Sequence, residues 1–337
     1  MELLRSKLHA TLISDDPSFE AASANLRQIL VRAVEESKGD SILLSGGLDT
    51  SIVGAIASKK NPDLRAFTVA LKDFPAPDVT YSRLIASRLG IRQELIEASL
   101  GDVEEFLPKV IAVLRSFDPM EIRNSLAIYF GLTRAKSANC SRVLTGDAAD
   151  ELFAGYSFVM SLPTDQASKK LHHLWEVMRF SSIPLASSLG IEALLPFLDS
   201  RVKEFATIGI PFEFLVNKSP SGDPHGKFIL RKTFEDSLPS EITWRKKTPI
   251  EYGSGTTQLP RIYSGKISDT DFLDKKRKYL NADKVRLRDK EQLHYYEIYR
   301  SHFGPPTFDS SRRNCPACTS NVDDSANFCT TCGEYPI

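Results

Sequence analysis

The sequence lacks an excess of charge of one sign, a long apolar run and a pattern for secretion. Its 337 residues carry 43 lysines and arginines against 43 aspartates and glutamates, which argues against a broadly basic nucleic-acid-binding surface. No apolar stretch approaches the roughly 20 residues that cross a bilayer, and the N-terminus has no signal-peptide pattern. These absences predict a cytoplasmic protein that does not enter the membrane.

Cysteine is scarce except at the C-terminal end, and Cys140 stands alone in mid-chain. The other four cysteines form two Cys-x-x-Cys pairs separated by ten residues, namely Cys315, Cys318, Cys329 and Cys332. Four thiolates at this spacing predict a closed tetrahedral zinc site, with iron as the main rival and two disulfides less favoured in the cytoplasm. So short a segment buries little apolar surface, so we expect the metal to stabilise it.

Strand and helix patterns alternate in the first half of the chain. Strands are predicted at 41–44, 64–71, 91–96 and 142–145, and helices at 19–37, 50–60, 79–89, 103–115 and 122–137. The alternation predicts an α/β fold with a doubly wound parallel sheet, which binds ligands at the carboxyl ends of its strands. From 156 to 303 the pattern is mostly helical, with loops at 181–184, 217–226 and 248–260, and predicts a helical cap.

These patterns divide the chain into four segments. We predict an N-terminal helical lead-in over 1–37, an α/β domain over 38–303, a Gly- and Pro-containing linker over 304–314 and a cysteine module over 315–337.

The first candidate functional motif is SGGLDTS at 45–51, between a predicted strand and a predicted helix. Its glycines let the backbone approach a polyphosphate, and the helix N-terminus offers free N–H groups. Asp49 suits Mg²⁺ bound to those phosphates. The motif lacks the lysine of GxxxxGK[ST], which argues against transfer of a γ-phosphate. An ordinary capped glycine turn is the alternative interpretation.

The second motif is LTGDAADELFAGY at 144–156, again at the end of a predicted strand. Asp147, Asp150 and Glu151 repel one another unless cations neutralise them, so their concentration indicates a site for metal and polyphosphate. An acidic helix start, in which the helix dipole stabilises the carboxylates, is the alternative.

Together the two motifs resemble the signatures SGGxDS and G[DE]G[AS]DE[LV]FGGY of the asparagine synthetase family of PP-loop ATP pyrophosphatases. Further similar segments follow in the family's order, at 117–125, 190–199, 227–231, 238–247 and 292–303. The resemblance covers 19–303. It implies the PP-loop type of doubly wound sheet, Mg²⁺ as cofactor, and cleavage of ATP to AMP and pyrophosphate.

The resemblance also implies roles for single residues. The group that cradles pyrophosphate and Mg²⁺ would be Ser45, Gly46, Gly47, Asp49, Thr50 and Asp150. The group around adenosine would be Leu43, Val69 and Gly146. Lys247 and Arg123 would neutralise charge on the α-phosphate and the leaving pyrophosphate, and Asp147 would handle the proton of the incoming amine. Without the resemblance, both cations are ordinary surface groups.

Several positions depart from the family pattern. Thr50 replaces a serine, and Ala148 and Ala154 replace glycines, so the ATP chemistry stays intact. Met120 and Leu194 stand where the family has threonine and arginine, which alters the pocket for the carboxylate substrate. L-Aspartate remains the default substrate.

Glutamine-dependent members of the family begin with a cysteine nucleophile on a glutaminase domain, whereas this sequence has Glu2 and reaches its ATP motif by Ser45. We therefore expect no glutamine hydrolysis. The nitrogen would arrive as free ammonia, from a separate glutaminase, or as another amine.

The sequence is compatible with three functions. The favoured one is an AMP-forming amide ligase that takes a small carboxylate and ammonia. The second is an RNA-modifying ATP pyrophosphatase whose cysteine module, which resembles a zinc ribbon, docks tRNA. Against it, Cys140 has no partner cysteine near the ATP motifs. The third is a non-catalytic nucleotide-binding protein that docks a partner protein through the ribbon, and the acidic and basic residues of the site count against it.

Overall fold

The computed structural model describes residues 18–207 and 210–337. Its main sheet has five parallel strands in the order β3-β2-β1-β4-β5. The strands are β1 (Ser41–Leu43), β2 (Arg65–Leu71), β3 (Arg92–Ala98), β4 (Arg142–Leu144) and β5 (Glu192–Leu194). The predicted α/β fold with a doubly wound parallel sheet is confirmed. Residues 1–17 of the predicted lead-in lie outside the described residues.

Helices cover both faces of this sheet. In the first half of the chain they are α1 (Phe19–Ser37), α2 (Leu48–Lys60), α3 (Asp78–Leu89), α4 (Leu100–Leu114) and α5 (Pro119–Ser137). Successive strand residues point to opposite faces, so Ile42 and Leu144 enter one core while Phe67 and Val143 enter the other. Two hydrophobic cores result, one on each face. No helix of 18–207 or 210–337 has the length and hydrophobicity to cross a membrane.

The second half contains more β-structure than predicted. Its helices are α6 (Ala149–Leu152), α7 (Ser157–Met160), α8 (Thr164–Val177), α9 (Ser182–Ser188), α10 (Ser200–Thr207), α11 (Phe212–Leu215), α12 (Phe228–Thr233), α13 (Ser240–Thr243), α14 (Ile250–Ser254), α15 (Leu259–Lys266), α16 (Asp269–Asp283) and α17 (Lys290–Phe303). The prediction of a mostly helical region missed β5, because three residues are too few for periodicity and depend on pairing with β4. It also missed the hairpin of β6 (Val216–Lys218) and β7 (Pro224–Gly226).

Two predicted loops of this region contain helix. The segment 181–184 holds the start of α9, and 248–260 holds α14 and a 3₁₀ turn at Thr256–Gln258. These helices are short and take much of their order from tertiary contacts, which single-sequence patterns do not contain.

The C-terminal cysteine segment packs against the body of the protein. All four of its cysteines are buried in the same core as Phe117 and Tyr296. Backbone hydrogen bonds join it to the body, including one from Phe117 N–H to the Thr331 carbonyl at 2.7 Å. The domain boundaries read from the sequence remain predictions.

Candidate active site

The two sequence motifs meet at the carboxyl ends of β1 and β4. The strand order reverses between these neighbouring strands, and such a point is where open α/β sheets bind ligands. A cavity of about 700 Å³ lies there. It is lined by most of the predicted site residues, namely Leu43, Ser45, Gly47, Asp49, Thr50, Val69, Gly146, Asp147, Asp150 and Lys247. Gly46 and Arg123 do not line it.

The phosphate loop, residues 45–51, is shaped by Gly46. This residue has φ +69°, and a Cβ on it would lie 2.3 Å from the Tyr81 backbone carbon. Only glycine therefore fits there. The Ser45 hydroxyl lies 3.2 Å from the Thr50 hydroxyl and accepts a hydrogen bond from Gly47 N–H. Thr50 thus keeps a hydroxyl in the loop, in agreement with the sequence analysis.

The acidic loop, residues 145–156, lies against the phosphate loop. A Cβ at Gly146 would lie 2.9 Å from Asp49 Cβ, so the two loops touch. Ala148 and Ala154 both have positive φ, at +75° and +56°. Alanine is strained in this conformation, whereas glycine is not. The positive φ therefore explains why the family signature has glycine at these two positions.

An alternating cluster of carboxylates and ammonium groups occupies the junction of the loops. The Lys227 ammonium lies 2.6 Å from Asp49 Oδ2 and 2.7 Å from Asp150 Oδ1. Lys247 donates to the other Asp150 oxygen at 2.5 Å. Burial opposes ionisation of Asp150, but Lys227 and Lys247 outweigh it and lower the pKa of Asp150 well below its ordinary value. Asp150 is therefore held as its carboxylate.

Lys227 is the principal residue that sequence reasoning missed. Lys227 begins the segment 227–231, which resembles the family, but the sequence pattern assigns it no role. Its side chain is 4% exposed, and its N–H donates to the Phe153 carbonyl at 2.9 Å. A Cβ at Gly155 would lie 2.0 Å from Asp150 Oδ1 and 2.3 Å from Lys227 Cε. The absence of a side chain at Gly155 thus leaves space for Lys227 between the carboxylates of Asp49 and Asp150.

Two further arginines reach the cavity. Arg231 is buried and donates to the carbonyls of Gly226, Thr243 and Arg245. Burial lowers its pKa to about 10. Arg245 pairs with Asp78 at 2.6 Å and also donates to the Ser45 carbonyl at 3.1 Å. Both arginines lie beside the phosphate loop, where positive charge suits a polyphosphate.

Asp147 is bound by hydroxyl groups, and it forms no ion pair with an ammonium group among the described residues. Its carboxylate accepts hydrogen bonds from Ser182 Oγ at 2.5 Å and Thr145 Oγ1 at 3.1 Å. Burial raises the pKa of Asp147, because these two hydrogen bonds offset only part of the cost of ionising it. The residue is thereby a stronger base than an exposed aspartate.

Arg123 lies behind the cavity wall rather than in it. Its guanidinium donates to Glu251 Oε2 at 2.5 Å and to Glu291 Oε2 at 2.7 Å. Burial raises the pKa of Glu291 to about 7, because Arg123 and the Tyr295 hydroxyl only partly offset it. The predicted contact of Arg123 with phosphate therefore remains a prediction, and in this structure the residue joins three elements.

The remaining wall of the cavity is largely apolar. Besides Leu43 and Val69 it includes Phe67, Ala127, Ile128 and Ile250. Met120 also lines the cavity and is 52% exposed, whereas Leu194 is buried and does not line it. Of the two departures from the family's carboxylate pocket, only the one at position 120 therefore reaches the cavity.

The donor set of the phosphate loop fits a divalent cation. Asp49 Oδ1 is buried and has no hydrogen-bond partner among the described residues, while its Oδ2 faces Lys227. Mg²⁺ prefers carboxylate and phosphate oxygens. A free, buried carboxylate oxygen beside a phosphate loop is such a ligand.

The four C-terminal cysteines come together as their spacing predicts. Their sulfur atoms all lie within 4.8 Å of one another, and two pairs, Cys315 with Cys332 and Cys318 with Cys329, are 3.7 Å apart. A tetrahedron with metal–sulfur bonds of about 2.3 Å has edges of about 3.8 Å. The arrangement fits a tetrahedral metal ion.

Fold and site together define an α/β protein of the PP-loop type, whose loop at 45–51 contains no Walker lysine. The family profile described as asparagine synthase matches residues 25–188 and 184–294. The chain belongs to the asparagine synthase family.

Curated relatives agree with this assignment. The chain is 26% identical to a probable glutamine-hydrolyzing asparagine synthetase of Dictyostelium discoideum, over 93% of this chain and 61% of that protein. It is 27% identical to the glutamine-hydrolyzing asparagine synthetase B of Escherichia coli (strain K12), over 79% of this chain and 50% of that protein. The chain thus spans about half to three fifths of these relatives. An NMN synthetase structure from Francisella tularensis aligns with a TM-score of 0.38 at 15% identity, covering 87% of this chain and 99% of that one.

Proposed function

We propose that the protein is an ATP-dependent amide ligase that activates a carboxylate as its acyl-adenylate with release of pyrophosphate, and then transfers the acyl group to ammonia with release of AMP. L-Aspartate is the default carboxylate, on the basis of the family. The observation that carries the proposal is the cluster of Asp49, Asp150, Lys227 and Lys247 against the phosphate loop in a cavity of about 700 Å³.

Each part of the cavity has a task in this reaction. The phosphate loop would hold the triphosphate, and the apolar wall beside Leu43 and Val69 would hold adenine. Asp49 and Asp150 would hold Mg²⁺, which supplies charge neutralisation on the phosphates when bound. Lys247 would neutralise the charge that develops on the α-phosphate and the leaving pyrophosphate, as a preorganised cation directed at that charge.

Amide formation needs a base, because ammonia that attacks a carbonyl must lose a proton. We assign this task to Asp147. The raised pKa of Asp147 brings it nearer to the pKa of the protonated amine adduct that would lose the proton. Ser182 and Thr145 fix the orientation of its carboxylate. We propose ammonia itself as the nucleophile, without glutamine hydrolysis by this chain; a separate glutaminase could supply it.

The alternative in which the cysteine module docks tRNA finds little support in its charges. Residues 304–337 contain two arginines and four acidic residues. Arg313 donates to backbone carbonyls within the module, and Arg312 lies 3.8 Å from Asp309. RNA-binding surfaces concentrate free cationic groups, and this module does not.

Pyrophosphate release from MgATP across a panel of carboxylates, led by L-aspartate, tests the proposal. We expect release that depends on one carboxylate, and an amide product that appears only when ammonium is added. Tight nucleotide binding without release with any acid would instead indicate a non-catalytic binding protein. Release that depends on tRNA, and not on free acids, would indicate an RNA-modifying enzyme.

The metal site gives a separate prediction. We expect about one zinc ion per chain, and we expect the double variant Cys315→Ser/Cys318→Ser to lose it, because serine hydroxyls are poor substitutes for thiolates. Elemental analysis of the purified protein measures this. Cys140→Ala is the matched control and should keep its zinc, since Cys140 lies away from the cluster. Iron in place of zinc, or metal retained by the double variant, would contradict the assignment.

A further inference from the structure

The cysteine module packs directly behind the wall of the candidate active site. We infer that Gln292 is a positioning residue, through which the second cysteine knuckle (residues 329–333) holds the active-site segment 248–254 in place. The inference rests on the proposed ligase function. It assigns the module a part in building the site, in addition to any docking role.

The first connection runs from the knuckle to the start of α5. Phe117 N–H donates to the Thr331 carbonyl at 2.7 Å, and Ser116 Oγ donates to the Thr330 carbonyl at 2.9 Å. Asp118, the next residue, caps α5 by accepting a hydrogen bond from Met120 N–H. Met120 lines the cavity, so this connection ends at the active-site wall.

The second connection runs from the knuckle to the start of α17. Gln292 is 1% exposed, and its Nε2 donates to the Cys332 carbonyl at 2.8 Å. Its Oε1 accepts from Arg288 N–H at 2.8 Å, so the amide is oriented from both sides. Arg288 itself donates to the carbonyls of Cys332 and Gly333 at 3.0 Å. These bonds join the knuckle to the first turn of α17 and to the segment just before it.

The two connections meet at Arg123. Glu291, the neighbour of Gln292, accepts a hydrogen bond from Arg123 on α5 at 2.7 Å. Arg123 also pairs with Glu251 of α14, whose N–H donates to Asn124 Oδ1 at 2.9 Å. These buried bonds join α5, α14 and α17 into one frame.

The frame affects the candidate active site because it holds α14. Segment 248–254, which contains α14, follows Lys247 directly in the chain, and four of its residues line the cavity, namely Thr248, Pro249, Ile250 and Ser254. A displaced frame would move this wall and the backbone that supports Lys247. Misplacement of a catalytic group by about 1 Å can lower turnover by about 100-fold. The knuckle thus acts on the reaction through Arg123 and α14.

The test uses the full chain with its metal. Gln292→Met removes the donor to Cys332 while keeping the volume of the side chain, and Arg288→Met removes two more donors at a half-exposed position. Arg286→Ala is the control, since it removes another bond to the module, to Glu334, outside the frame. Metal content, hydrogen exchange of amides in 248–256, and kcat and KM for MgATP are measured on each.

For Gln292→Met we expect unchanged metal content, faster exchange in 248–256, and a kcat lowered by about 10-fold or more while KM for MgATP changes less. Arg288→Met should shift in the same direction, and the control should match the wild type. Wild-type exchange and kcat in both variants would overturn the inference. If Gln292→Met does not fold, Arg288→Met decides. A wild type inactive with every acid would refute the proposed function, and exchange in 248–256 would still decide the structural link.

Discussion

Replacing Lys247 with alanine is expected to lower pyrophosphate release by roughly 100- to 1,000-fold, the cost of removing one preorganised group that stabilises transition-state charge. The ammonium is kept protonated by its surroundings: burial opposes its charge, but Asp150 and Asp49 outweigh burial and raise the pKa of Lys247. Because this cation would act mainly on the developing charge, kcat should fall more than KM for MgATP rises.

The measurement is carboxylate-dependent pyrophosphate release at saturating MgATP, with nucleotide binding followed separately. Lys266→Ala is a suitable control, because Lys266 is an exposed lysine that pairs with Glu104 away from the cavity. If the Lys247 variant released pyrophosphate at the wild-type rate, the lysine would have no part in the chemistry and another cation would have to be sought.

Replacing Lys227 with methionine is expected to lower the free energy of unfolding by roughly 3–5 kcal/mol in the absence of divalent cations. Methionine keeps most of the buried stem but removes the ammonium that lies between Asp49 and Asp150. Asp49 then makes no direct ion pair among the described residues, and Asp150 keeps only its pair with Lys247. Breaking a buried ion pair leaves an uncompensated charge, which costs more than the loss of the contact itself.

Magnesium separates this explanation from a packing defect. Two buried carboxylates without Lys227 form a stronger site for a divalent cation, and a ligand that binds only the folded state stabilises it. We therefore expect Mg²⁺ to restore a larger part of the stability of Lys227→Met than it adds to the wild type. Urea unfolding with and without Mg²⁺ measures this.

Lys232→Met serves as the control for that experiment. Lys232 lies on α12, the helix that Lys227 precedes, and its side chain pairs at the surface with Glu235, so its loss should cost less than about 1 kcal/mol. A loss equally small for Lys227→Met would contradict the role of its ammonium, and a large loss indifferent to Mg²⁺ would indicate packing alone.

Much of the fold could be predicted from the sequence because its signals are local. The helix predicted at 19–37 is observed at those bounds. Each end of the four predicted strands lies within two residues of the observed end. The sequence also predicts that the two motifs follow β1 and β4, at the carboxyl ends of strands, where parallel sheets bind their ligands. The fifth strand could not be predicted, since three residues form a strand only when β4 lies beside them.

The order of the first four strands and the helices between them, the two loops of the candidate site and the grouping of the four cysteines could be predicted, because each depends on residues close together in the chain. The tertiary structure alone brings Lys227 to Asp49, a residue 178 positions earlier, and joins Arg123 to Glu251 and Glu291 behind the cavity wall. It also decided that the second cysteine knuckle faces inward onto Gln292. Such partnerships depend on how distant segments pack, and no local pattern records that packing.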